Sequence, residues 1–274
     1  MSRRQLLIIT ATIVIVIILA SYFIYSTWYR RTNTSTAIEV SVPRSAIIYD
    51  SLYTEYPNPE VIENVTRILR EHNVTVKVYL GKDAGLIPLY SLSEYDLVIF
   101  RAHGGYNGDP NNGMPLGAYI FTGIHFDEAV RTYGDIIFKY HDEKYIVKGV
   151  IPPPNIKLTP EVLKKLPRYV VLSPWFFRDK IPIKRGSIIV FFGCYGLDDN
   201  RLAEVFLKKG ARAFISWRGN ITWTYMDEIL DDLVALLLKY FDKPEKAVEI
   251  INEVYGPDPA TNATLEIRLR TSGS

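Results

Sequence analysis

A histidine and the only cysteine of the chain each follow a run of apolar residues. His103 comes after the run 97–100 and is followed by glycine, and Cys194 comes after the run 187–192. A thiol becomes a strong nucleophile as the thiolate, and a nearby imidazole can take its proton. The two side chains therefore predict nucleophilic catalysis, provided that the fold brings them together.

Both runs are rich in β-branched and aromatic residues, which indicates buried strands of a parallel sheet. Ligands of open α/β sheets bind at the carboxyl ends of the strands, and neighbouring strands lie about 4.8 Å apart. If the two strands are adjacent, His103 and Cys194 come within range of each other. Gly104 permits a sharp turn, and its N–H together with that of Cys194 could hold the oxyanion of a tetrahedral intermediate.

The rest of the chain alternates strand and helix signals. We expect strands near 46–49, 74–80, 95–100, 187–192, 211–217 and 264–269. We expect helices near 58–72, 202–209, 226–240 and 244–255. This order predicts an α/β domain over 45–274, with a doubly wound and mostly parallel sheet.

The segment 105–186, between the histidine and cysteine strands, is predicted to be an irregular insertion. Strand-like pieces occur near 118–122, 136–140 and 169–172, with a short helix near 160–166. A connection of this length between core strands usually carries function or forms a lid.

Further motifs allow a family to be named. All four histidines precede Cys194, an order that fits neither papain-like proteases nor class I glutamine amidotransferases. Beyond the cysteine come a helix, a Gly-Ala-Arg-Ala strand that ends at Trp217, and a helix led by Lys243 and Pro244. Over roughly 46–255, without its middle segment, the sequence resembles the caspase-like (clan CD) cysteine peptidases, most closely the CHAT-domain and gingipain-like proteins.

The resemblance implies a caspase-like fold and a cysteine endopeptidase that works through an acyl-enzyme on a polypeptide substrate. His103 would be the general base and Cys194 the nucleophile, with the N–H groups of Gly104 and Cys194 as the oxyanion hole. No cofactor is required. The bulky neighbours Phe192 and Tyr195 favour an alternative, a catalytically inactive binding or scaffold protein that is anchored at the surface.

Three more residues are candidates for substrate binding. Asp198 and Asp199 could line a pocket for a basic side chain, or could form the acidic first turn of the next helix. Trp175 could cover the site or belong to the core. No HExxH or CxxC spacing occurs, so we expect no metal site.

The amino-terminal run 6–24 contains only three clearly polar residues and is long enough to cross a bilayer. We expect a transmembrane signal anchor over 1–25 and a tether over 26–44; a cleaved signal peptide is the alternative. Arginines flank the run on both sides, so charge alone does not orient it.

Glycosylation sequons favour an extracellular domain on a single-pass protein of the cell membrane. Five occur where composition predicts about 1.4, at Asn33, Asn64, Asn73, Asn220 and Asn262. The net charge of +2 without a basic run gives no support for nucleic-acid binding. A single cysteine excludes an internal disulfide, and the near absence of glutamine is typical of a thermophile.

Overall fold

The computed structural model describes residues 42–152 and 159–271, which belong to one compact unit, Val42–Ser274. The strands of these residues are β1 (Ser45–Asp50), β2 (Thr75–Leu80), β3 (Leu97–Arg101), β4 (Gly104–Asn107), β5 (Gly117–His125), β6 (Ile146–Gly149), β7 (Tyr169–Leu172), β8 (Ile188–Phe192), β9 (Ala213–Arg218) and β10 (Thr264–Leu269). The α-helices are α1 (Pro59–Glu71), α2 (Phe126–Tyr133), α3 (Ile136–Asp142), α4 (Pro160–Lys165), α5 (Pro174–Lys180), α6 (Arg201–Lys208), α7 (Trp223–Lys239) and α8 (Pro244–Val254).

Six strands form the main sheet in the order β10-β9-β8-β3-β1-β2. All neighbours are parallel except β10, which runs antiparallel to β9 at one edge. The predicted α/β class with a mostly parallel sheet is therefore confirmed. Helices α1, α7 and α8 pack on one face of this sheet, and α5 and α6 pack on the other.

The two central strands have the composition that this position requires. Every residue of β3 and of β8 is buried, because helices cover both faces. Alternate residues feed different cores: Leu97 and Ile99 face α1 and α7, whereas Val98 and Phe100 face α5 and α6. The strands pair in parallel register from Leu97–Ile188 to Arg101–Phe192, so the predicted adjacency is confirmed.

The segment predicted as irregular contains a second sheet of four antiparallel strands, in the order β4-β5-β7-β6. The short helix and the strand expected near 160–166 and 169–172 are present as α4 and β7. The expected strand near 136–140 is wrong, because these residues lie in α3. Only Ile137 of this helix is buried, and an apolar run this short fits either period.

The predicted anchor, most of the predicted tether and Asn33 fall within residues 1–41, outside the described residues. Among the helices of the described residues, none combines the length and apolar character that crossing a bilayer requires.

Candidate active site

The carboxyl ends of β3 and β8 remain side by side beyond the last ladder pair. The N–H of Ala102 donates to the carbonyl of Phe192 at 3.0 Å. His103 and Cys194 each follow the registered pair Arg101–Phe192 by two residues. The backbones of His103 and Cys194, the two residues of the predicted dyad, therefore lie next to each other at the same edge of the sheet.

Both side chains face the amino-terminal end of α7. The His103 ring meets the Trp223 ring edge to face, with 4.7 Å between their centroids. The Cys194 thiol lies 3.7 Å from the carbonyl oxygen of Ile221. One short segment, 220–223, thus contacts the imidazole at one end and the sulfur at the other.

His103 is held by a carboxylate that the sequence did not indicate. Its Nε2 lies 2.7 Å from Oε2 of Glu55, which follows β1 and a 3₁₀ helix, Ser51–Thr54. The other oxygen of Glu55 accepts a hydrogen bond from the hydroxyl of Tyr169, which lies on β7 of the second sheet. With Nε2–H donating to Glu55, the free lone pair of the imidazole is on Nδ1.

The electrostatics of Glu55 favour the charged carboxylate. Burial alone would raise its pKa. Hydrogen bonds from His103 and Tyr169, together with the charges of His103 and His125, outweigh burial and hold the pKa of Glu55 below its usual value. The carboxylate therefore stays ionised and can orient the imidazole at neutral pH.

Aromatic rings surround the imidazole. Tyr56, Phe121 and Trp223 all meet the ring of His103 edge-on, at centroid distances of 6.0, 6.0 and 4.7 Å. Tyr56 also stacks on Trp223 at 4.5 Å. A cleft of about 570 Å³ opens beside this cluster, and Glu55, Tyr56 and Trp223 are among its lining residues.

Cys194 is covered in this structure. Only 5% of its surface is exposed, and its thiol donates to Oδ1 of Asn220 at 2.9 Å. Burial raises the pKa of the thiol, the carboxylates of Asp198 and Asp258 raise it further, and backbone hydrogen bonds oppose the shift. Within the described residues the thiol makes no hydrogen bond to the imidazole, and its raised pKa favours the protonated thiol.

The proposed oxyanion-hole residues are in direct contact. A β-carbon on Gly104 would lie 1.9 Å from the carbonyl oxygen of Cys194, so only glycine fits at this position. The N–H of Phe121 donates to the carbonyl of His103, and bonded pairs alternate along an antiparallel ladder. The next pair, Gly104–Ile120, is therefore a non-bonded one, and the Gly104 N–H points away from β5.

The three candidate substrate residues have other partners. Asp198 accepts a hydrogen bond from the N–H of Gly219 at 2.7 Å. Asp199 accepts from the N–H of Arg201 at 2.9 Å, which is the turn before α6 that the alternative interpretation expected. Trp175 is 38% exposed and stacks with Arg178 at 5.2 Å. None of these contacts involves His103, although Asp198 acts electrostatically on Cys194.

The described sequons differ in accessibility. Asn73, Asn220 and Asn262 are exposed. Asn64 is half-buried within α1, and the Thr66 that completes its sequon is buried. The Asn220 side chain is bonded to the thiol, so a glycan there would lie against Cys194.

Sequence reasoning missed Glu55 and Tyr169, which lie 48 residues before and 66 residues after His103. Neither stands in a recognisable motif, so no local signal could have found them. No group of three or more histidine, cysteine, aspartate or glutamate side chains in the described residues is placed to bind a metal ion. Comparison with protein-family models and with curated proteins finds no match for this chain.

Proposed function

We propose that this chain is a caspase-like cysteine endopeptidase in which Cys194 is the nucleophile and His103 the general base. The observation that supports this most is the pairing of β3 with β8, which puts the two residues next to each other at the carboxyl edge of the sheet. The carboxylate of Glu55 adds a third member, since it engages Nε2 of the imidazole and leaves Nδ1 to accept a proton.

These positions support the following reaction. Nδ1 of His103 takes the thiol proton, and the thiolate attacks the substrate carbonyl carbon to form a C–S bond. The N–H groups of Gly104 and Cys194 stabilise the oxyanion. The C–N bond then breaks and the amine leaves with the proton from His103. His103 next deprotonates a water that attacks the acyl carbon, the C–S bond breaks, and the proton passes from His103 to the Cys194 thiolate. Glu55 stabilises the imidazolium at each transfer.

Access to the sulfur requires a local change. Asn220 must release the thiol before a substrate carbonyl can approach, because the sulfur is bonded and buried in the structure. The segment 219–222 follows β9 and begins at Gly219, whose φ of 91° is a conformation that glycine adopts freely. Rotation of the Asn220 side chain away from the thiol is the smallest such change, because Ile221 of the same segment is buried in the core.

A thiol-reactive peptidyl ketone tests the dyad. We expect the full chain to be labelled, Cys194→Ala not to be labelled, and His103→Ala to be labelled at least about 100-fold more slowly. His141→Ala is the matched control, because His141 lies on α3 and pairs with Asp142. Equal labelling of wild type and His103→Ala would remove the general base from the proposal.

The second candidate is a catalytically inactive binding or scaffold protein with the same fold. Its support is the buried thiol with a raised pKa and its hydrogen bond to Asn220. This function predicts that Cys194→Ala leaves folding and partner binding unchanged, and that no peptide library is cleaved by wild type or by Asn220→Ala. Cleavage by either protein that Cys194→Ala abolishes excludes the scaffold.

The proposal extends to a membrane anchor over 1–25, with the peptidase domain outside the cell. The sequons test this topology in a secretory host. We expect Asn73→Gln and Asn262→Gln each to remove one glycan, because both asparagines are exposed in turns with positive φ. A chain that carries no glycan at either position contradicts the extracellular placement.

A further inference from the structure

One carboxylate joins the two sheets at the candidate site. Tyr169 is the first residue of β7, and its hydroxyl donates to Oε1 of Glu55. The second oxygen of the same carboxylate holds Nε2 of His103 at 2.7 Å. The phenol of the second sheet is therefore connected, through a single side chain, to the imidazole that follows β3 of the first sheet.

The packing of Tyr169 fixes its hydroxyl, so that the hydroxyl holds the Glu55 carboxylate in place. Its ring is only 7% exposed and packs in a small apolar cluster with Tyr119 and Val171. The His125 ring meets it edge-on at 4.5 Å. A phenol held on several sides loses little further freedom when it donates, so its hydroxyl constrains the carboxylate rather than following it.

We propose that Tyr169 is a positioning residue for the general base, acting through Glu55 to hold the imidazole of His103 in the orientation that presents Nδ1. This inference rests on the proposed peptidase function. It also gives the insertion a role, because its second sheet supplies the hydroxyl that holds the Glu55 carboxylate.

A titration follows from the same contact. The groups that face Glu55 are His103 after β3, Tyr169 on β7 and His125 at the end of β5. The Tyr169 hydrogen bond is one of the interactions that keep the pKa of Glu55 low. Removing it raises the pKa of Glu55, so the carboxylate protonates at a higher pH, and the titration of the Glu55 carboxyl carbon in an NMR experiment moves to higher pH.

The test uses Tyr169→Phe in the full chain, with Tyr119→Phe as its matched control. Tyr119 lies in the same cluster, is equally buried, and donates to the carbonyl of Pro115 instead of to the site. We expect Tyr169→Phe to lower kcat about tenfold, with KM unchanged. The NMR titration of the Glu55 carboxyl carbon should move to higher pH in this variant and stay in place in Tyr119→Phe. A Glu55 titration and a kcat that do not move in Tyr169→Phe overturn the inference.

A second readout separates this inference from the peptidase proposal. In a Cys194→Ala background, the NMR signal of the His103 ring Nε2–H should be observable, should persist in Tyr119→Phe, and should broaden by solvent exchange in Tyr169→Phe. If wild type cleaves no peptide while this signal still depends on Tyr169, the positioning contact stands and the peptidase function fails. If Tyr169→Phe leaves this signal unchanged, the positioning role of Tyr169 fails, whether or not the wild type cleaves peptides.

Discussion

Gly104 lies directly against the peptide carbonyl of Cys194, so the residue after the histidine is in contact with the cysteine itself. A β-carbon at Gly104 would approach that oxygen to 1.9 Å and the backbone nitrogen of Cys194 to 2.9 Å. The obstacle is the backbone of Cys194, which cannot rotate away as a side chain can. The glycine after His103 is thus a requirement of the close approach of the two strand ends.

Gly104→Ala should destabilise the chain and displace Cys194. We expect the free energy of unfolding to fall by about 3 kcal/mol, since overpacking against fixed backbone is costly. Gly105→Ala is the control, because its β-carbon would meet side chains and no backbone, with Phe121 the nearest at 3.4 Å. Urea unfolding of both variants measures the difference, and an equal effect of the two substitutions contradicts the described approach.

Asn220→Ala should make Cys194 more reactive. Burial raises the pKa of the thiol, and the acceptor Oδ1 of Asn220 stabilises the protonated form. Removing the amide exposes the sulfur and lowers its pKa, so we expect alkylation by iodoacetamide at pH 7.5 to be about tenfold faster. Asn111→Ala, in an exposed 3₁₀ helix (Pro110–Asn112), should leave the rate unchanged. An unaltered rate in Asn220→Ala would mean that other groups shield the thiol.

Glu55→Gln should impair catalysis more than binding. The neutral amide no longer stabilises the imidazolium and can present an N–H to Nε2. We expect kcat to fall by about 10² to 10⁴, as for other carboxylates that orient a catalytic histidine, with little change in KM. Glu63→Gln, on the exposed face of α1, is the control for peptide hydrolysis. A change confined to KM would assign Glu55 to substrate binding.

Asp50→Asn should change how the free energy of unfolding depends on pH, because Asp50 is a buried carboxyl group with a raised pKa. Arg101 is fully buried between Asp50 and Asp227, so two carboxylates share one guanidinium. Burial, opposed by Arg101 and reinforced by Asp227, raises the pKa of Asp50 from 3.8 to about 6. The folded state therefore binds the proton more tightly than the unfolded state, and this contribution to stability is lost as pH rises from about 4 to 6.

The comparison that measures this is the stability of Asp50→Asn relative to wild type at several pH values. We expect the variant to gain on wild type by up to about 3 kcal/mol between pH 4 and pH 7. Taking the difference cancels the carboxylates with lowered pKa, such as Glu55 and Asp258, which act in the opposite direction. A difference that is constant with pH would show that Asp50 titrates alike in both states.

Local patterns were sufficient for the central strands and for the pairing of their ends. The runs at 97–100 and 187–192 are apolar at every position, as burial on both faces requires, and parallel strands deliver their carboxyl ends to one edge. Short amphipathic pieces were less certain. The residues 136–140 were predicted as a strand and lie in a helix, because an apolar run this short fits either period.

Residue order and hydrophobic pattern thus specify the α/β class, the two core strands and the positions of His103 and Cys194, because burial of a sheet constrains every residue type along it. The partners of these two residues follow from packing between distant segments. Glu55 reaches the imidazole from the turn after β1, and Asn220 reaches the thiol from the loop after β9. Such contacts depend on the path that each loop takes through the folded domain. The residue types along a loop show no periodic pattern from which that path can be predicted.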